Sequence, residues 1–433
     1  MDLKIAFYTL GCKVNQNETG ALAQLFRENG FTLAAEHEPA DVYIVNSCTV
    51  TATGDKKSRQ WLRRAKRENP EAVTVLCGCF PQAFPQQALE VAEADILCGA
   101  RGRRQVLDNV LEFLQTRRRI VDISPHEKGE AFEELPMERF EGHTRAFMKI
   151  EDGCNRQCAY CVIPRARGFV RSRAEASILR ELAVLARAGY REVVLSGINL
   201  PSYGRDTGTS LTQLLEKADR AEGPARIRLG SLEPDLLTDD DIARMAKLGR
   251  LCPQFHLALQ SGCDTTLRRM RRVYDTAQYR AVAHKLRAAI PGAAFTTDVI
   301  VGFPGETEEE FAQSLAFVRE IGFLKVHVFS YSRRPGTPAA DMPGQLTEAE
   351  KLERSHRMQT AADAVRAQVI GAMEGRRAEV LLERPVAKDL FTGYTRDYVP
   401  VLVKAPGRAQ GELAQVVLGA FDPQRDRCLA QLV

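Results

Sequence analysis

Three cysteines fall within eight residues in the stretch KIEDGCNRQCAYCVIPRARG, at Cys154, Cys158 and Cys161. Thiolates this close in one loop can converge on one centre. Three of them can ligate three irons of a four-iron cluster and leave the fourth iron open to a chelating molecule. Zinc is the competing occupant, but a structural zinc site takes a fourth Cys or His, and no His follows nearby. A disulfide with a spare thiol does not suit a reducing cytoplasm. A second set is scattered: Cys12 (TLGCKVNQNE), Cys48 (VNSCTVT) and Cys79 (LCGCFPQ) each lie just past the end of an expected strand. In a parallel sheet those ends share one edge, where ligand crevices form. Cys77, inside its strand, and Cys98, ending the next, compete for the role. Spacing alone does not choose three of these five, and each can equally be a small buried hydrophobe.

The elements that would position these thiols follow from hydrophobic periodicity. KIAFYTL (4–10), DVYIVNS (41–47), AVTVLCG (72–78) and ADILCG (94–99) read as strands. They alternate with an amphipathic helix near Glu18–Asn29 and a basic helix from about Asp55 to Glu68. Apolar strands separated by helices predict a parallel sheet covered on both faces. A second alternation begins at 145, with strands expected at 145–150, 192–197, 226–231, 255–260, 296–302 and 325–331. Helices are expected between them, for example at 175–188, 239–247, 275–288 and 307–321. Six such units suit an open, partial barrel. A charged helix over about 347–373 then leads to five short β-like runs in the last ~60 residues, the pattern of a small OB-like barrel. The expected class is α/β. It comprises an N-terminal parallel-sheet domain (1–121), an acidic linker (122–143), a central partial (β/α)6 barrel (144–370) and a small C-terminal β-barrel (371–433).

Bulk properties agree. The chain has 433 residues, too many for one ordinary core, with 44% apolar and 27% charged residues. No apolar run reaches membrane-spanning length, and MDLKIAFYTLGC reads as a strand, not a signal peptide. A cytoplasmic protein is expected, in which eleven cysteines are better used for metal or redox chemistry than for disulfides. Net charge is only +4, yet basic residues bunch at 56–67, 101–104, 117–119, 165–173 and 268–272. Any one run can be a solvated helix face. Five of them, two beside cysteine motifs, point to a polyanionic partner.

The Cx3Cx2C spacing at the first strand of a partial barrel, with Tyr160 before the last cysteine, resembles the radical S-adenosylmethionine (SAM) superfamily. There the open iron binds the amino and carboxylate groups of SAM, and electron transfer cleaves it to a 5′-deoxyadenosyl radical. TLGCKVNQNE, VNSCTVT, GC before FPQ, and EDGCNRQCAYCVIPRARGFVRSR together resemble the methylthiotransferase family of these enzymes. The similarity continues in LSGINLPSYG (195–204), HLALQSGCDTTLRRMRRVY (256–274), TDVIVGFPGETEEEF (297–311) and FSYSRRPGTPA (329–339). The C-terminal segment is similar to the TRAM RNA-binding module.

The resemblance implies two [4Fe–4S] clusters, one on Cys154, Cys158 and Cys161 and an auxiliary one on Cys12, Cys48 and Cys79. Cys77, Cys98, Cys252, Cys263 and Cys428 are then packing residues. The auxiliary open iron would carry a sulfur that a second SAM methylates before transfer to a C–H bond. Tyr160, Gly197, Asn199, Glu233, Gln260 with Ser261, and Asp298 become candidates for SAM contact. Each of the strand-end residues could instead satisfy turn backbone groups. Arg171 and Arg173 could hold cofactor or phosphate, or could pair with surface acids. Arg63, Arg64, Arg165 and Arg167 are expected to reach RNA. The family modifies adenosine beside the tRNA anticodon or an aspartate of a ribosomal protein. GCKVNQNE and IPRARG resemble the subgroup acting on N6-threonylcarbamoyladenosine, although Arg165 stands where an aromatic residue is expected. The expected activity is therefore 2-methylthiolation of that nucleoside in the anticodon stem-loop. Isopentenyladenosine, a ribosomal-protein aspartate and a non-catalytic RNA-binding iron–sulfur scaffold are the alternatives. A reductant such as flavodoxin or ferredoxin would be needed.

Overall fold

Strands buried along their whole length set the N-terminal part. Six parallel strands, β1 (Lys4–Thr9), β2 (Thr32–Leu33), β3 (Val42–Ser47), β4 (Val73–Gly78), β5 (Ile96–Cys98) and β6 (Ile120–Asp122), form one sheet ordered β2-β1-β3-β4-β5-β6. Every residue of β3 and β4 is buried, because helices cover both faces. These are α1 (Lys13–Glu28), α2 (Ala52–Glu68), α3 (Cys79–Ala83), α4 (Pro85–Leu89) and α5 (Gln105–Thr116). The computed structural model describes residues 3–35, 38–135, 137, 140 and 142–433.

Helix α1 starts at Lys13, five residues before the expected Glu18. Cys12 takes the N-cap in an extended conformation. The Asn15 amide then donates to Leu10 O at 3.0 Å and Ser47 O at 2.9 Å, lashing the first turn to two strand ends. Polar residues that read as a loop are thus a buried helix start. The expected linker is also not a free spacer. Among the described residues of 123–143 there is no helix or strand, yet Met137 and Phe140 are buried. The Phe140 ring meets Phe147 and Tyr190 edge-on. Residues 136, 138–139 and 141 of that expected linker lie outside the described residues.

The central strands are β7 (Ala146–Lys149), β8 (Glu151–Asp152), β9 (Arg171–Ser172), β10 (Glu192–Ser196), β11 (Arg226–Leu229), β12 (Ser231–Leu232), β13 (Gln254–Leu257), β14 (Ala294–Val301) and β15 (Lys325–Ser330). Parallel sheets β11-β10-β7 and β12-β13-β14-β15 meet where β11 passes through Gly230 into β12, giving a curved partial barrel. β8 and β9 form a short antiparallel pair beside the cysteine loop. Helices α6 (Ile163–Arg167), α7 (Glu175–Arg187), α8 (Leu211–Arg220), α9 (Asp239–Met245), α10 (Asp264–Arg269), α11 (Thr276–Ala289) and α12 (Glu308–Ile321) connect them. Capping boxes at Thr238/Asp241, Asp275/Gln278 and Thr307/Glu310 fix where α9, α11 and α12 begin, each worth about 1 kcal/mol.

Helix α13 (Glu348–Gly371) leads to β16 (Arg377–Ala387), β17 (Leu390–Thr395), β18 (Pro400–Lys404), β19 (Leu413–Asp422) and β20 (Arg427–Leu432). These close a barrel ordered β16-β17-β18-β20-β19 around Val380, Leu382, Val401, Val403 and Val416. It packs on the amino ends of the central strands. Arg228 of β11 donates to Arg396 O at 3.0 Å and lies over the Tyr398 ring, and Arg226 pairs with Glu379 at 2.9 Å. Both arginines are buried and share Glu192 of β10. No helix among the described residues is long and apolar enough to cross a membrane.

Candidate active site between two cysteine sets

Cys12, Cys48 and Cys79 sit at or just beyond the carboxyl ends of β1, β3 and β4, three neighbouring strands. They are brought together. Burial pushes the Cys48 thiol up to about 12, and Cys79 and Cys12 add to that rise as nearby ionisable groups. Exposure is graded: Cys12 is exposed, Cys48 half-buried and Cys79 buried. Cys77 and Cys98 instead pack beneath the sheet in its apolar core. Cys252, Cys263 and Cys428 are buried as well.

Cys154, Cys158 and Cys161 occupy the loop after β8 and are all half-buried. Burial pushes Cys154 to about 11 and Cys161 to about 12, with Cys158 acting on both. Cys12, Cys79 and Cys154 each follow a glycine of positive φ, at 113°, 98° and 84°. A Cβ on Gly153 would lie 1.9 Å from Phe169 O, and one on Gly78 would lie 2.5 Å from Asn46 Oδ1. Glycine is therefore required at these two turns.

The donor set fits thiolate-held clusters. Arg272 Nη1 lies 3.2 Å from Cys158 Sγ, and Arg167 Nε lies 3.2 Å from Cys79 Sγ. Backbone N–H groups of Arg156 and Val50 point at Cys154 Sγ and Cys48 Sγ, at 3.4 and 3.5 Å. Such donors favour the anionic sulfur. Among the described residues, the His, Cys, Asp or Glu trio with ligand atoms all within 4.8 Å of one another is His256, Asp298 and His327, not either cysteine set. A single tetrahedral zinc would hold its sulfurs roughly 3.8 Å apart; a cluster with each thiolate on a different iron spreads them wider.

A cavity of about 190 Å³ lies between the sets, lined by Val50 and Thr51 after Cys48 and by Tyr160, Cys161, Val162 and Ile163 of the barrel loop. Gln260, Asp298, Ile300 and Phe329 to Ser332 complete its wall. Val50 and Phe329 expose 49% and 43% of their surface here, an apolar rim. A larger cavity of about 530 Å³ lies between residues 100–105 and 127–133. It contains no cysteine, so the smaller one is the candidate site.

Other expected residues divide. Gln260 adopts φ 64° and bridges β14 by backbone bonds to Asp298 O and from Ile300 N, both 2.8 Å. Asp298 Oδ2 is 3.4 Å from His256 Nε2. Burial alone would raise its carboxyl, but His256, His327 and Lys13 hold it below the ordinary value. Tyr160 packs edge-on against Phe303. Gly197 makes room for a protein group: a Cβ there would lie 2.5 Å from Glu151 Oε2. That same oxygen accepts from Asn199 N at 2.8 Å, while the buried Asn199 Oδ1 has no partner among the described residues. Glu233 is held by Arg272. Ser261 bonds its own turn at Cys263 N, 3.3 Å away.

The arginines need correction. Arg167, Arg171 and Arg173 are buried and ion-paired inside the protein, with Glu18, Glu130 and Glu181 as partners. That removes them from any RNA-facing surface. Arg165 is exposed, but its guanidinium is spent on Pro335 O and Ala83 O and stacks over Phe84. Arg63 is exposed and pairs with Glu93; Arg64 pairs with Glu68 and lies over Trp61. The sequence reading missed Arg272, Glu151, His256, His327 and Arg334. Arg334 ties Thr49 of the Cys48 loop and Asp55 of α2 to the end of the barrel, at 2.8 and 2.5 Å. Glu151, Arg272, His256 and Arg334 lie inside the quoted motifs; the geometry that gives them work is tertiary.

Comparisons with known proteins agree with this architecture. Residues 148–318 match the Radical SAM superfamily, and residues 4–99 match Uncharacterized protein family UPF0004. The Threonylcarbamoyladenosine tRNA methylthiotransferase MtaB of Bacillus subtilis is 40% identical over 99% of this chain and 97% of its own. That of Thermotoga maritima is 36% identical over 90% and 89%. A tRNA-2-methylthio-N(6)-dimethylallyladenosine synthase of Pelotomaculum thermopropionicum is 34% identical over 90% and 88%. Among solved structures, the radical SAM methyltransferase TsrM of Kitasatospora setae aligns with a TM-score of 0.58 at 15% identity, covering 78% of this chain and 74% of that one. That likeness is one of fold. With relatives of this identity spanning nearly its whole length, the chain belongs to the methylthiotransferase family of radical SAM enzymes.

Proposed function

We propose that this enzyme converts N6-threonylcarbamoyladenosine beside the tRNA anticodon to its 2-methylthio derivative. The observation that carries the reading is the shared cavity: the loop after Cys48 and the loop holding Cys161 face each other across it. Cys154, Cys158 and Cys161 would hold one four-iron cluster, and Cys12, Cys48 and Cys79 the other. When bound, the clusters and SAM supply the radical and the methylthio sulfur, because the adenine C2–H bond is not ionisable at neutral pH. The protein supplies placement and exclusion of water.

Tyr160, Gln260, Asp298 and Ile300 line the side where cofactor would lie, and the Val50–Phe329 rim offers apolar faces to a flat base. Asp298 in this lining, paired with His256, would offer a hydrogen-bonding group to the polar threonylcarbamoyl arm. Lys56, Lys57, Arg63 and Arg67 are exposed on α2, where they would meet phosphates without reading bases. The terminal barrel would add RNA contacts, and a flavodoxin- or ferredoxin-type donor would supply electrons in the cytoplasm.

Nucleoside mass spectrometry of tRNA from cells with and without the gene tests this. The expected result is loss of 2-methylthio-N6-threonylcarbamoyladenosine with its precursor accumulating. Loss of the isopentenyl counterpart instead would overturn the substrate and keep the chemistry.

A further inference from the structure

Arg167 belongs by its backbone to one cysteine set and by its side chain to the other. It ends α6, six residues after Cys161 in the same loop. Its guanidinium, wholly buried, places Nε 3.2 Å from Cys79 Sγ. The remaining nitrogens are fully engaged. Nη2 donates to Asn15 Oδ1 at 2.9 Å and Glu18 Oε2 at 3.0 Å, and Nη1 meets Glu18 and Asp152. Asn15 Oδ1 in turn faces Cys12 Sγ at 3.5 Å. One planar group thus touches a thiol of the auxiliary set and reaches a second through a single amide, while its main chain is part of the barrel loop.

The charges around it form one shared buried network. Arg103, Lys149 and Arg167 converge on two carboxylates, Glu18 and Asp152. Arg171 reaches Asp152 at 3.7 Å and Glu130 at 3.3 Å, and Glu130 also pairs with Arg101. The thiol that the Arg167 guanidinium faces is Cys79. A thiolate-held cluster is anionic, so a buried cation already stands at that sulfur when the auxiliary set is loaded. A cationic N–H donor to a cluster sulfur stabilises the reduced, more negative state.

We propose that Arg167 is a positioning residue that clamps the auxiliary set to the barrel loop and raises the reduction potential of the cluster on Cys12, Cys48 and Cys79. This rests on those cysteines being ligands, which the iron content of C79A tests separately: iron unchanged in C79A overturns the ligand assignment and with it the two-cluster reading. The closing experiment uses full-length protein carrying C154A, C158A and C161A, so that a single cluster is titrated, with its potential read by EPR. R167Q is expected to lower the potential and E18Q, which removes an opposing charge, to raise it. Equal potentials for R167Q and its parent, or shifts of the same sign in R167Q and E18Q, overturn the proposal. Should R167Q take up no iron, R167K carries the test: it keeps the charge but loses the fork, and a potential identical to the parent overturns the clamp. In the protein with all six cysteines, R167K should also weaken magnetic relaxation of one reduced cluster by the other, and undiminished coupling counts against it.

Discussion

The two cysteine sets share a chemistry and differ in how the chain builds them. The barrel set spans eight residues of one loop, so its closure costs little chain entropy and depends on one turn at Gly153. The auxiliary set draws on three strand ends spread over 68 residues, Cys12 to Cys79, and exists only when β1, β3 and β4 are in register. Their arginine donors differ too. Arg272, at the barrel set, also holds the single carboxylate of Glu233, whereas Arg167 is locked in a buried ionic network. A local site can be disturbed without unfolding its domain; a non-local one reports the integrity of the sheet.

The largest effect that would break the comparison is removal of a thiol from either set. C154A is expected to abolish reductive cleavage of SAM. C79A should retain cleavage while forming no methylthio product. Chromatography of 5′-deoxyadenosine beside nucleoside mass spectrometry separates them, and abortive cleavage lost in both would sink the division of labour. Next come the turns: G153A should cost the barrel-set iron and G78A the auxiliary iron, each leaving the other, as measured by iron content and EPR. A uniform loss in both variants would mean the two sets do not assemble independently. R272Q, which leaves Cys158 without its donor and Glu233 without its cation, should slow SAM cleavage about 10–100-fold. An unchanged rate would make Arg272 a packing residue.

The smallest effect is one of pH. Burial would raise Glu18 and Asp152, but Arg103, Arg167 and Lys149 hold Glu18, and Lys149, Arg167 and Arg171 hold Asp152, below the ordinary carboxylate value. Their contribution to stability is present above that ordinary value and is lost as pH falls through their depressed folded values. Glu151 and Glu233, at the barrel set, are raised by burial. Their contribution has the opposite sign: present at low pH, lost as pH rises through their folded values. Acid should therefore loosen the N-terminal sheet from the barrel first. The single tryptophan, Trp61, stacks on Tyr8 of β1 at 3.8 Å and reports that part. Its fluorescence is expected to change at a higher pH, below about 4, than far-UV circular dichroism. Coincident transitions would show one cooperative unit.

Much of this was legible in the sequence because strand and helix periods carry it. Six central strands and the terminal barrel fall close to their expected places, and Cx3Cx2C is a local signal. The auxiliary set was legible only through resemblance, since nothing in the spacing separates Cys79 from Cys77; the turn at Gly78 does, ending β4 with Cys77 in the core and starting α3 at Cys79. The arginines were misread for a related reason. RARGFVRSR has the composition of a phosphate-binding run, but whether an arginine faces water depends on where Glu18, Glu130 and Glu181 arrive from other elements. Likewise the start of α1 depends on Ser47 O, 32 residues from Asn15.

The way the terminal barrel seats on the central one bears on how its role can be dissected. Arg226, Arg228 and Glu192 are buried against β17 and the turn at Tyr398, so the C-terminal module would act as the stopper of a vessel formed by the central barrel. A chain shortened before residue 377 would present those charges to water and open the vessel from below. Inactivity of such a truncation would therefore speak of a leak, and not of a lost grip on RNA. Charge reversals on the module's outward strands, which leave the stopper in place, are the variants able to distinguish the two.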